Sequence, residues 1–197
     1  MSKKTRKIVL LMVLSMFLSL FAFSSDVAAG SNSGPWTFRG SFVYISPDSD
    51  WDPIDELYGF SAEVLYDVGP SFRIGPEINY ATGDEDLFGI NFEADWLQVL
   101  ARAEYFIGWG EGGNNSFFLG LGAGMVNVDG TVSIMGLSAS EDDTSFAFKP
   151  FAGCDIFFSD SVGISIQAGY LWAENTIAGI DVDSTGFEGK IGIVFAF

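Results

Sequence analysis

The sequence predicts an all-β protein, an eight-stranded antiparallel up-and-down transmembrane β-barrel that follows a cleaved signal peptide. Three observations lead to this fold class. Eight stretches alternate between apolar and polar residues, which is the period of a β-strand. The apolar face of these stretches is aromatic and aliphatic and the other face carries charges, so the pattern is inverted relative to a soluble barrel. The connections alternate between short and long, which is typical of bacterial outer-membrane barrels.

The beginning of the chain has the composition of an export signal. Four basic residues stand near the start, and an apolar run over residues 8–23 follows them. Val27-Ala28-Ala29 offers small residues for cleavage, and Ala22-Phe23-Ser24 is the alternative site. A retained membrane helix is the alternative, but the apolar run is short for a span. We therefore expect residues 1–29 to be a signal peptide and residues 30–197 to form one outer-membrane β-barrel domain.

The strands are assigned from the alternation and from the turn residues that interrupt it. The fourth stretch is ambiguous, because residues 92–107 also contain many good helix formers. A strand is preferred there, since it keeps the short and long connections in alternation. The predicted strands are Trp36–Ile45, Tyr58–Asp67, Ser71–Tyr80, Leu97–Ile107, Phe117–Val126, Phe146–Phe157, Val162–Trp172 and Phe187–Phe197.

The four long connections, residues 46–57, 81–96, 127–145 and 173–186, contain seventeen acids and no basic residue. An even number of strands places them on the extracellular side, with the short turns in the periplasm. Their candidate partners are divalent cations, lipopolysaccharide and a cell-surface partner. The last two connections also contain apolar residues. These residues either continue the strands as a protruding sheet or pack on one another across the two loops.

Charged residues of the predicted strands lie on the face opposite to the apolar one. All five basic residues of the region 30–197 are among them, together with six acids. A basic side chain on the lipid face would cost about 2–4 kcal/mol at the bilayer midplane, which supports this register. Buried charges are tolerated when they are paired, so we expect an internal ion-pair network. Its predicted members are Arg39, Glu63, Asp67, Arg73, Glu77, Arg102, Glu104, Lys149, Asp155, Glu188 and Lys190.

The expected lumen is plugged, because an eight-stranded barrel is only just wide enough for its own side chains. Gly120, Gly122 and Gly124 are expected to leave room for long side chains across the lumen. The alternative function is a narrow porin-like channel for ions or small solutes, which requires the inner charges to rearrange.

Composition excludes several functions. The whole chain has 9 basic and 26 acidic residues; residues 1–29 take four bases and one acid, which leaves a net charge of −20 and excludes nucleic-acid binding. The chain contains no histidine, so histidine-dependent hydrolases and histidine zinc sites are excluded. We predict no enzymatic activity and no cofactor. The single cysteine, Cys154, is expected to face lipid as a small apolar residue.

The chain ends on the pattern Gly189-x-Ile191-x-Ile193-x-Phe195-x-Phe197. With the eight alternating strands, this ending resembles the small outer-membrane barrel group that includes the OmpA transmembrane domain, OmpX and the opacity-type adhesins. The resemblance implies an integral protein of the bacterial outer membrane that acts structurally or in surface interaction through its acidic loops. It also implies that the barrel-assembly machinery reads an assembly signal formed by Ile191, Ile193, Phe195 and Phe197.

Overall fold

The structure is a ring of antiparallel strands. The computed structural model describes residues 34–48, 54–109, 115–134, 137–177 and 180–197, so the predicted signal peptide lies outside the described residues. The strands of the described residues are β1 (Trp36–Pro47), β2 (Leu57–Gly69), β3 (Phe72–Leu87), β4 (Ile90–Trp109), β5 (Asn115–Ile134), β6 (Leu137–Phe157), β7 (Val162–Ile177), β8 (Ile180–Asp183) and β9 (Gly186–Ala196).

Eight of these strands close the ring. Each strand from β1 to β7 pairs with the next one, and β9 joins β7 to β1, while the short β8 pairs only with β7. The predicted eight-stranded antiparallel up-and-down barrel is confirmed. The ambiguous fourth stretch is a strand, because β4 pairs with β3 and with β5 along its length. Among the described residues, no helix is long and apolar enough to cross a membrane.

The two ends of the barrel differ. At one end, here called the terminal end, the backbone N–H of Trp36 donates to the carbonyl of Phe197 over 3.0 Å, and the short turns join β2 to β3 and β6 to β7. At the other end, the hairpin end, the strands run on into long hairpins. This asymmetry separates a compact rim from a surface that projects beyond the barrel.

Alternate residues of the barrel strands point into the lumen. In β1, Arg39, Val43 and Ile45 are buried, whereas Phe42 between them is 43% exposed on the exterior. Most apolar residues on the outer face of the strands are likewise exposed or half-buried. Phe38 is an exception at 2% exposure, since it packs against the ring of Phe195 with 6.2 Å between the centroids.

Two of the predicted long loops are strands. The segment 81–96 belongs to the β3–β4 hairpin, and residues 127–134 and 137–145 belong to β5 and β6, so the loop boundaries predicted there were wrong. β4 and β5 have 20 residues each and β6 has 21, about twice what one membrane crossing requires. The loop prediction depended on the acidic residues of these segments. They fall among polar and apolar residues that keep the cross-strand pairing, so they do not end the strands.

The extended parts of β3 to β6, residues 82–87, 90–95, 129–134 and 137–145, form one four-stranded sheet beyond the barrel, here called the protruding sheet. Of the two interpretations of the third connection, the continuing strands are observed. The fourth connection also continues as strand, because β7 runs to Ile177 and pairs with β8. Packing across the two loops would involve the side chains of residues 174–183. These side chains lie outside the part of the chain that the structure describes.

A two-residue turn closes the β3–β4 hairpin. Phe88 and Gly89 both have positive φ, 56° and 79°, as type I′ hairpin turns require. The N–H of Gly89 donates to the Asp86 carboxylate at 3.2 Å, which holds the turn. Phe88 is an uncommon residue for this conformation and is 96% exposed, so the sheet presents an aromatic ring at its tip.

Candidate functional site

The eleven residues of the predicted network all point into the barrel. Ten of them are at most 8% exposed, whereas the side chain of Asp67 is 32% exposed at the terminal end. Because the ten buried residues comprise five bases and five acids, their formal charges balance. The eleventh residue, the extra acid, is the one in contact with solvent. Buried charges are tolerated when they are paired, and the balanced set of ten allows every charge a partner of opposite sign.

Arg39 donates through all three of its side-chain nitrogens. Its Nε and Nη2 donate to the two carboxylate oxygens of Asp155 at 3.0 and 2.7 Å. Its Nη1 and Nη2 donate to Glu104 at 2.9 and 2.8 Å, and Nη1 also donates to Glu63 at 3.2 Å. A guanidinium has five N–H donors, so these five bonds use its full capacity. Paired, fork-like bonds to carboxylates are among the strongest in proteins.

Arg73 joins the same carboxylates to the rim. Its Nε donates to Asp67 at 3.0 Å, and its Nη1 lies 3.4 Å from Glu104 and 3.3 Å from Asp155. The two Nη1 contacts are longer than any contact of Arg39, and the side chain is partly exposed. Arg73 therefore belongs to the network but is less isolated from water than the other arginines.

Two carboxylates at the centre of the lumen face each other directly. Glu63 and Glu77 are cross-strand partners of β2 and β3, an arrangement that is repulsive without cations. Arg102 Nη1 lies between them, at 2.6 Å from Glu63 and 2.8 Å from Glu77. Lys190 Nζ bridges the same pair at 3.1 and 2.8 Å. The two cations thus convert a like-charge pair into a bonded cluster.

The remaining members extend this central cluster. Lys149 Nζ binds Glu77 and lies 2.7 Å from Glu188, which is also 3.3 Å from Lys190. Arg102 Nη2 reaches Glu104 at 3.0 Å and so connects the central cluster to the carboxylates around Arg39. The structure therefore places the eleven residues in one continuous network across the barrel.

Three inward-facing phenylalanines complete the surroundings of the arginines. Each guanidinium lies over the face of one ring, where desolvated cation–π contacts contribute about 2 kcal/mol. Sequence reasoning missed these rings, although each has the same alternation as the charges of its strand. The three pairs are Arg39 over Phe118 at 4.1 Å, Arg73 over Phe106 at 3.9 Å and Arg102 over Phe151 at 3.8 Å.

Glycines on the neighbouring strand make room for two of these rings. Phe118 of β5 pairs with Gly153 of β6, and Gly120 pairs with Phe151. A Cβ at either glycine would run into the ring of its partner. The glycines of the fifth strand therefore do leave space, but Gly120 leaves it for a ring on the adjacent strand. It positions the aromatic face on which Arg102 stacks.

Replacing Gly120 by Ala is expected to lower the free energy of unfolding by about 1–3 kcal/mol, because the new Cβ overlaps both the Ala103 carbonyl and the Phe151 ring. Gly122→Ala is the matched control, since its nearest neighbour is the flexible end of Leu100 at 3.2 Å. That control should change stability by only about 0.5 kcal/mol. Urea titration of both variants in vesicles checks the difference, and equal losses would contradict it.

An apolar layer separates the network from the hairpin end. All of its members are at most 7% exposed, and they fill the lumen on the hairpin side of the central cluster. The sequence analysis did not predict this layer, because about half of its residues lie in segments that were predicted to be loops. The layer comprises Val43, Ile45, Ile54, Leu57, Ala81, Ala94, Trp96, Leu100, Val126, Val128, Ala147, Leu171 and Ala173.

Acidic side chains surround the hairpin end, and exterior tyrosines hold three of them. The hydroxyl of Tyr80 donates to Asp95 at 2.7 Å, and that of Tyr44 donates to Glu56 at 3.3 Å. Tyr170 donates similarly to Asp48. These bonds fix carboxylates at the level of the aromatic residues. In the part of the chain that the structure describes, no group of three or more His, Cys, Asp or Glu is placed to hold a metal ion.

Solved structures of several outer-membrane proteins share this fold. Neisserial surface protein A is similar over 83% of this chain and 98% of its own, with 14% identity and a TM-score of 0.55. The attachment invasion locus protein Ail of Yersinia pestis, solved with the heparin analogue sucrose octasulfate, covers 82% and 96% with 17% identity and a TM-score of 0.54. OprG from Pseudomonas aeruginosa covers 85% and 98% with 15% identity and a TM-score of 0.53.

No curated protein matches the chain. At these low identities, the structural neighbours show the fold alone. The family is shown by a different comparison, because the family model described as the outer membrane protein beta-barrel domain matches residues 15–195, nearly the whole chain. Together with the closed ring of strands and the aromatic exterior, that match means that this chain belongs to the outer-membrane protein β-barrel family and is integral to the outer membrane.

Proposed function

We propose that the protein acts as a surface-interaction protein, in which a lumen closed by ion pairs supports an acidic external surface. The proposal of a closed lumen rests on the network of ten buried residues, whose formal charges balance. Each of its cations contacts at least two carboxylates, so no charge is left free to bind a passing ion. Such a network stiffens the barrel and gives the external surface a rigid base.

Two barriers in series support a closed lumen. A solute that enters from the terminal end meets the network and must replace its ion pairs, each of which is costly to break when buried. A solute from the hairpin end first meets the apolar layer, where an ion loses its hydration without gaining a partner. Trp96 and Leu100 belong to that layer and are at most 1% exposed. These two barriers favour a closed barrel over a narrow porin-like channel.

The second half of the proposal rests on the charge of the hairpin end. The described acids there are accompanied by no basic residue, since all five bases of the region 30–197 point into the lumen. Ail was solved with a sulfated heparin analogue, which is a polyanion. The acidic hairpin end of this protein would repel such a ligand. We infer cationic partners here, and contact with lipopolysaccharide phosphates through divalent cations. We also propose that the assembly machinery reads the stripe that ends at Phe197.

We also infer a non-catalytic role. The sequence contains no histidine, so the base that activates a serine or cysteine nucleophile in most hydrolases is missing. The lumen carboxylates are each bonded to cations, which uses the lone pairs that a general base requires.

Single-channel recording in a planar bilayer tests the closed lumen. Full-length refolded barrel, shown to be folded by circular dichroism, is expected to give no steady conductance, because the network and the apolar layer both block the path. The variant Arg102→Ala serves as the comparison, since Arg102 contacts three carboxylates of the network. A steady wild-type conductance that changes in the variant would overturn the closed lumen and support the channel.

A further inference from the structure

The end of the protruding sheet that lies away from the barrel is apolar. Ile90 pairs with Leu87 on one side and with Ile134 on the other, and Ile134 in turn pairs with Leu137. These four residues form one row across the four strands, and Phe88 lies in the turn beside it. Phe88 is 96% exposed and Leu137 is 79% exposed. The five residues are here called the apolar tip.

The turn holds Phe88 in a conformation that is unfavourable for it. Its φ of 56° lies in the left-handed region, which Asn and Gly adopt readily and bulky residues adopt rarely. The almost fully exposed ring gains little packing within the chain that would offset this cost. Residues in such conformations are concentrated at functional sites. The turn therefore indicates that the ring has a role outside the chain itself.

Acidic side chains stand directly behind the apolar tip. They are exposed residues of β3 and β6, namely Asp84, Glu85, Asp86, Glu141 and Asp142. The residues of the sheet, 82–87, 90–95, 129–134 and 137–145, include no base. An anionic surface is therefore repelled as it approaches the tip. A quaternary ammonium group is attracted, both by the carboxylates and by the face of the aromatic ring.

The form of the apolar tip fits a membrane surface better than a pocket for one side chain. Four strands about 4.8 Å apart spread the row over about 15 Å. Ile90 and Ile134 are paired on both sides, so their side chains can leave water while their backbone stays hydrogen-bonded. Shallow insertion into the headgroup region leaves the outer sides of β3 and β6 in contact with water.

We propose that the apolar tip inserts into the headgroup region of a second membrane whose outer leaflet is rich in phosphatidylcholine. This inference rests on the proposed surface-interaction function and names the partner. Phe88, Leu87 and Leu137 enter the interface, where the choline groups contact the ring of Phe88 and the acids behind it. A single tip binds weakly, and many copies on one cell surface bind together.

Vesicle flotation tests the choice of membrane. Full-length barrel is placed in nanodiscs of phosphatidylglycerol, so that its own lipid is not the ligand, and empty nanodiscs serve as the control. The discs are mixed with vesicles of phosphatidylcholine or of phosphatidylglycerol. We expect binding to phosphatidylcholine to be at least about tenfold stronger, because the acids behind the tip oppose the anionic surface. Equal binding to both vesicles, or binding to neither, would overturn the proposal.

The variant Phe88→Asn removes the ring without disturbing the turn, since Asn-Gly is a favoured pair for a type I′ turn. Its binding to phosphatidylcholine vesicles is expected to fall by about tenfold, which is the least that burial of a phenylalanine side chain contributes. Val132→Thr is the matched control, because it makes a residue of the same sheet polar away from the tip. That control should change binding by less than about twofold. Unchanged binding in Phe88→Asn would overturn the proposal and leave the acidic surface function intact.

The variant Phe88→Leu separates contact with choline from apolar insertion. Leucine keeps an apolar side chain in the turn but has no aromatic face. The preference for phosphatidylcholine over phosphatidylglycerol is expected to fall by about threefold, as the loss of an exposed cation–π contact predicts. An unchanged preference would overturn the contact between the ring and choline. The proposed function fails separately, by steady conductance.

Discussion

Replacing Arg39 by Met is expected to lower the free energy of unfolding by about 3–5 kcal/mol, which is the cost of breaking a buried ion pair by removing one partner. Methionine retains much of the apolar stem but no charge, so Glu63, Glu104 and Asp155 lose the guanidinium that binds all three. The stacking on Phe118 is lost as well. Urea unfolding of the vesicle-embedded barrel, followed by tryptophan fluorescence, measures the change.

Arg73→Met is the matched control for this prediction. Arg73 contacts Glu104 and Asp155 at longer distances and is partly open to solvent beside Asp67. Water can replace some of the hydrogen bonds that the substitution removes. We therefore expect the free energy of unfolding to fall by less than half as much as in Arg39→Met. Unchanged stability in Arg39→Met, or equal losses in both variants, would contradict the view that burial determines the strength of each arginine.

The variant Glu77→Gln is expected to have the second-largest effect, a loss of about 3 kcal/mol. Glu77 contacts three cations, Arg102, Lys149 and Lys190, and is completely buried. Without its charge, those cations have too few carboxylates around them. The amide keeps the size of the side chain, so a cavity does not account for the loss. The same urea titration measures it.

A double variant checks the electrostatic origin of that loss. Adding Lys149→Met to Glu77→Gln removes one of the three cations, and matched removal of both charges of a buried pair is often close to neutral. We therefore expect the double variant to recover a substantial part of the stability that Glu77→Gln loses. A double variant whose loss equals the sum of the two single losses would rule out direct coupling between Glu77 and Lys149.

The network also specifies how the strands pair. A slip of one residue in any strand exchanges its inner and outer faces. For β4, a slip would turn Arg102 and Glu104 towards lipid and bring Val99 and Tyr105 into the lumen. Since a basic residue on the lipid face costs about 2–4 kcal/mol at the midplane, the buried charges oppose every such slip. The buried charges therefore help to determine the strand register, in addition to the stability that their ion pairs provide.

The external surface follows from the same alternation. In the protruding sheet, Phe92 and Val132 lie on the face that points towards the barrel axis, whereas Glu93 and Asp129 fall on the other face. The strands of the barrel thus continue beyond it without a change of pattern. The surroundings of the outward face do change, because this face meets lipid in the barrel and solvent in the protruding sheet. Its residues change accordingly from aromatic to acidic.

The sequence by itself determined the ring of strands and the set of charges inside it. Period-two alternation depends on neighbouring residues only, so it predicted the barrel and the inward position of Arg39 or Glu77 without knowledge of any contact. The same alternation places Phe118 and Phe151 in the lumen, although the predicted set of lumen residues contained only the charged ones. Alternation also continues through much of the segments 81–96 and 127–145, including Trp96, where the acidic residues predicted loops.

Only the tertiary structure decided which charges meet. Arg39 and Asp155 are separated by 116 positions, and Lys190 and Glu63 by 127. Their contact depends on the stagger of all the strands between them and on the closure of the ring, which no local pattern encodes. Pairing across a closed barrel is a property of the whole ring.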